Sequence, residues 1–300
     1  LNADLSGEQS PSVRKITRLD EDDSDLRAFA AGIAPDNPER GVFLFDHVNL
    51  PAVISYLAAS VLIHENDHTH KNYFFYQDTN NTGEWMFIPW DKDLTFGLNN
   101  GIEGIIADQD WPNDPVRSPS HPFFGSKNHQ KNDYQWNRLF DAVFSDPVSR
   151  QMYLRRLRTL MDRLLQSPGT PIEQLRYERR IDELAAWVAQ ELDSPAFWDA
   201  VGAIKTQYLP VRRTHLYINH AEGSSWPDDP AGIPPAQPEQ FSITIGAIET
   251  NLDSGNREED YIEICNPNAF AADISGWILD GGGVSHTFAG GTVIPTGGTL

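Results

Sequence analysis

The chain has 300 residues, of which 39% are hydrophobic, and its 43 acidic and 23 basic residues give a formal net charge of −20 at pH 7. This charge disfavours nucleic acids and anionic membrane surfaces as partners, because both bind basic patches. The sequence has no apolar run of about 18 residues, so no membrane insertion is expected. Its single cysteine, Cys265, excludes an internal disulfide framework.

Residues 1–40 are acidic and broken by glycine and proline, and we interpret them as an acidic lead-in left from an upstream region. The opening sequence LNADLSGEQS contains neither a basic region nor an apolar core, so it is not a signal peptide. We therefore expect a longer parent protein that is secreted or displayed at the cell surface, with any signal peptide upstream. Within the lead-in, residues 26–34 predict a short helix.

A buried helix is predicted within residues 43–63. Asn49 is a favoured N-cap residue, and Pro51 falls in the first turn, where a missing N–H costs little. The apolar residues that keep helical spacing are Leu50, Val53, Ile54, Leu57, Val61 and Leu62. This helix leads the chain directly into residues 64–72, a polar loop rich in histidine, asparagine and acidic side chains.

A β-hairpin is predicted after the polar loop. Residues 73–76 and 85–90 have the aromatic and apolar composition of strands. Between them, the Asn-Asn-Thr-Gly sequence of residues 80–83 is a strong turn signal. Such a hairpin returns the chain on itself, so the polar residues before its first strand lie near those after its second.

Four polar residues are expected to meet at the open end of this hairpin. Asp67 and Asn72 precede the first strand, and Asp91 and Asp93 follow the second. If residues 91–93 stay extended, both carboxylates point to the same face, because strand side chains alternate. Carboxylate and amide oxygens suit Mg²⁺, a hard cation that prefers oxygen ligands.

Two other interpretations of this region stay open. Asp91 and Asp93 could solvate an ordinary turn, with the histidines as surface polar residues. Alternatively, a metal-dependent hydrolase could use a zinc cluster formed by His64, Asp67, His68 and His70. The H-E-x-x-H spacing typical of one class of zinc enzyme is absent here.

Two motifs in this region resemble the spore-coat CotH kinase family. They are Asn-Tyr-Phe-Phe-Tyr at residues 72–76 and Ile-Pro-Trp-Asp-Lys-Asp-Leu-Thr-Phe-Gly at residues 88–97. The resemblance implies an atypical kinase-like fold that binds ATP and Mg²⁺ and phosphorylates proteins. It also implies that Asp67 is the catalytic aspartate, that Asn72 and Asp91 bind the cofactor, and that Asp93 joins them as a metal ligand.

The region after the hairpin is predicted to be a long loop followed by helices. Residues 98–132 take the position of an activation segment if the kinase resemblance holds. Helices are predicted over residues 134–165, restarting at Asp146-Pro147, over 171–192 and over 196–219. The inward positions predicted for the helix over 171–192 are Ile172, Leu175, Ile181, Leu184 and Val188. Five arginines are expected on a solvated face: Arg150, Arg155, Arg156, Arg158 and Arg163.

The chain changes character after residue 222. Residues 223–240 are a proline-rich linker, of the kind that is extended and semi-rigid. Residues 241–300 show short strand patterns separated by turn residues, which indicates an antiparallel β-domain. Its sequences Asp-Tyr-Ile-Glu-Ile-Cys-Asn-Pro at residues 260–267 and Asp-Ile-Ser-Gly-Trp at residues 273–277 resemble a lamin-tail domain. The resemblance implies an immunoglobulin-like β-sandwich, incomplete because the sequence stops before the last strands.

The predicted fold class is therefore α+β. A mostly helical kinase-like C-lobe with a small β-hairpin, residues 41–222, precedes the β-domain. The expected function is Mg-ATP-dependent phosphoryl transfer to serine or threonine of a protein substrate by the intact parent. The chain shows no glycine-rich loop and no strand-borne lysine upstream of residue 43. We therefore expect it to bind ATP weakly or not at all, and to be inactive as this fragment. The alternative is an inactive kinase-like scaffold or adhesion protein that contacts cell-surface or coat proteins through its β-domain.

Overall fold

The computed structural model describes residues 15–65, 72–98, 137–224, 232–250 and 260–300. Within them, helices alternate with small antiparallel sheets of two strands each, which confirms the α+β class. One hydrophobic core joins the helices, the hairpin and part of the C-terminal region. Among the residues described, no helix combines the length and apolarity that a bilayer crossing requires.

Three helices precede the hairpin: α1 (Ser24–Gly32), α2 (Arg40–His47) and α3 (Leu50–Leu62). Helix α3 begins as predicted, because the Asn49 side chain accepts a hydrogen bond from the amide of Ala52 and Pro51 occupies the first turn. The apolar residues predicted for its stripe are all buried. Helix α3 therefore lies in the core, and its C-terminal end delivers the chain to the predicted site.

The predicted hairpin is confirmed as strands β1 (Tyr73–Gln77) and β2 (Trp85–Pro89). Tyr73 pairs with Pro89, so residues 72 and 90 flank the open end of the ladder. The inward face is aromatic. Phe75 stacks on Trp85 with ring centroids 4.7 Å apart, and Phe29 of α1 contacts both rings. This packing fixes the hairpin against the helices.

The helices after the hairpin are α4 (Arg138–Ser145), α5 (Pro147–Leu160), α6 (Arg176–Val188), α7 (Pro195–Ala203) and α8 (Leu209–Thr214). The predicted restart at Asp146 is confirmed, because its side chain caps α5 by accepting from the amide of Ser149 at 2.8 Å. Helices α5, α7 and α8 each continue into a π-helical turn: Met161–Leu165, Ile204–Tyr208 and His215–Asn219.

The prediction of one inward-facing helix over residues 171–192 is wrong in part. A short 3₁₀ turn, Ile172–Gln174, precedes α6, and the Gln166 side chain bonds across the junction to Gln174 and Arg176. Ile172 is 74% exposed, and Leu184 and Val188 also face outward. Ile181 packs partly buried against the core and Leu175 is also partly buried, so the predicted stripe faces inward only in part.

The C-terminal strands are β3 (Thr244–Glu249), β4 (Tyr261–Cys265), β5 (Ala272–Asp273), β6 (Ile278–Gly281), β7 (Val284–Thr287) and β8 (Val293–Ile294). Strand β3 pairs with β4, β5 with β8 and β6 with β7, all antiparallel as predicted. Ile264, Ile274 and Ile294 form a second buried cluster. A complete sandwich is not visible in these pairings.

The prediction that the α5 arginines share a solvated face is wrong for two of them. Arg155 and Arg156 are 3% and 7% exposed, because the C-terminal region packs on α5. Arg155 donates to the carbonyl of Pro235, and Arg156 donates to Asp273 and Ser275. The C-terminal region also approaches helix α3 closely: a Cβ at Gly291, whose φ is +94°, would overlap the carbonyl of Pro51.

Replacing Asn49 with alanine is expected to lower the free energy of unfolding by about 1–2 kcal/mol. The substitution removes the cap of a buried helix and also the 3.0 Å hydrogen bond from the Asn49 side chain to Glu84. Urea denaturation measures the loss. Asn49→Ser is the control, because serine still caps a helix but is too short to reach Glu84. An alanine variant as stable as the parent would contradict the importance of this cap.

Candidate functional site

Three segments of the chain meet at the open end of the hairpin. The amide of Trp90 donates to the carbonyl of Asn72 at 3.2 Å, which joins the residues on either side of the β-ladder. The amide of Phe96 donates to the carbonyl of Ile63 at 2.7 Å, which joins the segment after β2 to the end of α3. The described part of the predicted site is therefore assembled by backbone contacts.

The backbone at this junction is unusual. Asn72, Asp91, His64 and Phe96 all have left-handed φ angles, between 53° and 62°. Asparagine and aspartate tolerate this conformation, whereas a bulky aromatic residue such as Phe96 adopts it only under constraint. Backbone strain of this kind concentrates at functional sites, so the cluster of left-handed residues supports a functional role for the junction.

Aromatic rings beneath the segment hold Phe96 in place. The Phe96 ring meets Tyr177 and Tyr208 edge-on, with centroids 5.6 and 5.7 Å away. The His64 ring also stacks on Tyr208. Burial raises the pKa of Tyr177 to about 12, so its hydroxyl stays neutral near pH 7. Helix α6 and the π-helical turn Ile204–Tyr208 thus supply aromatic rings that pack under the predicted site.

The two predicted acidic ligands lie on either side of a less exposed residue. Asp91 and Asp93 are exposed, and Lys92 between them is partly buried. The carbonyl of Asn72 accepts a hydrogen bond from the amide of Trp90, the residue before Asp91. These side chains supply only oxygen donors, which fits the chemistry of Mg²⁺. Asp67, the predicted catalytic residue, lies outside the described residues.

The zinc alternative receives no support from the part of the chain that the structure describes. His64 is buried with 1% exposure and stacks on Tyr208, while Asp67, His68 and His70 lie outside the described residues. Among the described residues, no group of three or more histidine, cysteine, aspartate or glutamate side chains could hold a metal ion. Of the predicted activation segment, residues 98–132, Leu98 is described and the remainder lies outside the described residues.

Sequence reasoning missed one feature of the junction. The Lys92 ammonium turns inward, where it lies 3.7 Å from the Glu65 carboxylate and donates to the Tyr56 hydroxyl at 3.2 Å. No sequence pattern identified it, because Asp91 has a left-handed φ of 53° and residues 91–93 are not a regular strand.

A mostly helical body with a small β-hairpin agrees with the α+β class predicted from the sequence. The family model described as CotH kinase protein matches residues 5–208, more than half of the chain. The chain therefore belongs to the CotH kinase family. A search of curated proteins found no match. Residues 209–300, with α8 and the C-terminal strands, lie outside the family match.

Proposed function

We propose that this chain is part of an atypical protein kinase that transfers phosphate from Mg-ATP to serine or threonine of a protein substrate in its intact parent. The observation that carries the proposal is the hydrogen bond from the Trp90 amide to the Asn72 carbonyl at the end of the hairpin, which places Asn72 beside the residue before Asp91, with Asn72 and Asp91 both in left-handed backbone. Membership of the CotH kinase family supports the same chemistry.

The proposed roles follow from the chemistry of each side chain. Asp67 orients or deprotonates the substrate hydroxyl, as a positioned carboxylate can. Asn72 and Asp91, supported by Asp93, hold the metal ion at the nucleotide phosphates. When bound, Mg²⁺ neutralises the negative charge of those phosphates, so the transfer depends on how firmly the three oxygen donors are placed.

Incubating the intact parent with labelled ATP, Mg²⁺ and an acceptor protein tests the proposal. Asp91→Asn removes the charge but keeps a residue that tolerates left-handed backbone, and we expect it to lower phosphoryl transfer about 100-fold. The matched control is Asp78→Asn at the opposite end of the same hairpin, which should leave transfer unchanged. Full transfer by Asp91→Asn and by Asp67→Ala would refute the assignment.

A second candidate function is a kinase-like scaffold that binds surface or coat proteins through the C-terminal region. We propose for this region a lamin-tail-like sandwich in a secreted or cell-surface parent, which its antiparallel strands support. The observation in favour is the exposed apolar surface of β3 and β4, where Ile245, Ile248 and Tyr261 are all more than half exposed. Robust nucleotide turnover by the intact parent would count against this candidate.

A further inference from the structure

Lys92 makes contacts that a solvated lysine would not make. Its side chain is only 21% exposed, although it lies between two exposed aspartates. The ammonium contacts the Tyr56 hydroxyl at 3.2 Å and the Glu65 carboxylate at 3.7 Å, and it lies 5.4 Å from the centre of the Tyr56 ring. The Glu65 side chain is fully buried, so this ion pair is shielded from solvent on one side.

Both partners of Lys92 are fixed within the core. Tyr56 lies on α3 and stacks on Phe87 of β2, with ring centroids 5.0 Å apart. Glu65 follows α3, and its amide donates to the carbonyl of Ser60 at 2.8 Å. Burial raises the pKa of the Tyr56 hydroxyl, so the hydroxyl stays neutral and can accept from Lys92. Lys92 is therefore bound to two groups whose positions are fixed by the core and do not depend on the conformation of residues 91–93.

We propose that Lys92 is a positioning residue that pins residues 91–93 to α3, so that the Asp91 and Asp93 carboxylates both face outward. Asp91 and Asp93 are exposed on either side of the inward Lys92, so holding Lys92 in place also holds the two flanking residues that carry the carboxylates. A segment held before its ligand arrives loses less conformational freedom on binding. What the carboxylates bind rests on the proposed function, whereas the pinning itself does not.

Hydrogen exchange of the free chain tests the pinning directly. In Lys92→Met, the amides of residues 90–97 should exchange about tenfold faster, because hydrogen bonds to a charged group are lost there. Lys92→Arg, which keeps the charge, should restore most of the protection. Unchanged exchange in Lys92→Met overturns the proposal. A rise of the same size in helix α5 also overturns it, because the effect would then be global destabilisation.

Binding of Mn²⁺ alone, followed by electron paramagnetic resonance, separates positioning from simple charge. Removing a cation beside two carboxylates should tighten Mn²⁺ binding if Lys92 acts only through its charge. If Lys92 positions the carboxylates, Lys92→Met should weaken binding about tenfold, the usual effect of losing a residue that supports metal ligands. Equal or tighter binding overturns the positioning role. If the unmodified chain binds no Mn²⁺, the metal-binding role of Asp91 and Asp93 in this chain fails, and the exchange measurement still decides the pinning.

Discussion

Replacing Arg213 with methionine is expected to lower the free energy of unfolding by about 3–5 kcal/mol. The Arg213 guanidinium makes two parallel hydrogen bonds to the Glu178 carboxylate, at 2.7 and 2.8 Å, and its Nε donates to the carbonyl of Leu165. The two side chains are only 6% and 7% exposed. The variant would leave the Glu178 carboxylate buried without its arginine, which is the costly state of a broken ion pair.

A control on helix α6, which carries Glu178, separates the effect of burial from the effect of charge. Arg180 pairs with Glu183 at 2.9 Å, but these side chains are 64% and 52% exposed. Arg180→Met should therefore cost less than about 1 kcal/mol, as exposed ion pairs usually do. In the double variant Glu178→Met, Arg213→Met, much of the lost stability should return, because no unpaired charge is left. Guanidinium denaturation measures all four proteins, and equal losses from the two arginine variants would contradict the buried pair.

Replacing Arg156 with methionine is expected to cost a similar amount, about 3–5 kcal/mol, and to loosen the C-terminal region. Arg156 donates to Asp273 at 3.1 Å, to Ser275 at 3.1 Å and to Ser55 of α3 at 3.1 Å. Its side chain is 9% exposed and that of Asp273 is 2% exposed. One guanidinium thus joins α5, α3 and strand β5.

Thermal unfolding and hydrogen exchange measure this effect. In Arg156→Met, strands β5 and β8 should lose protection more than α3 does, because α3 packs on α5 over a longer stretch, whereas Arg156 bonds directly to Asp273 of β5. The matched control is Gln151→Ala, which removes an exposed contact from α5 to Thr296 in the same C-terminal region and should cost less than about 1 kcal/mol. Equal protection of β5 in Arg156→Met and in the parent would show that other contacts hold the region.

Local features of the chain were predictable because near neighbours determine them. Asn49 and Asp146 were identified as helix starts from side chains that satisfy amides three residues on. The hairpin followed from two aromatic runs around an Asn-Asn-Thr-Gly turn, and its observed strands differ from the prediction by about one residue at an end.

Burial was the feature that sequence patterns predicted least well. Ile172, Leu184 and Val188 have the apolar character of a core stripe, but all three are exposed in the described chain. Arg155 and Arg156 are charged, but the C-terminal region covers them. A periodic pattern shows which residues share a face, and it does not show whether another element covers that face.

The sequence by itself determined the starts of helices α3 and α5, the hairpin, the antiparallel C-terminal strands and the family of this protein. Only the tertiary structure decided which charges are buried: Arg156 with Asp273, Arg213 with Glu178, and Lys92 with Glu65. The physical reason is the distance along the sequence between the residues that interact. Caps and turns form between residues a few positions apart, whereas a buried ion pair depends on segments far apart in the chain that meet only when the core forms.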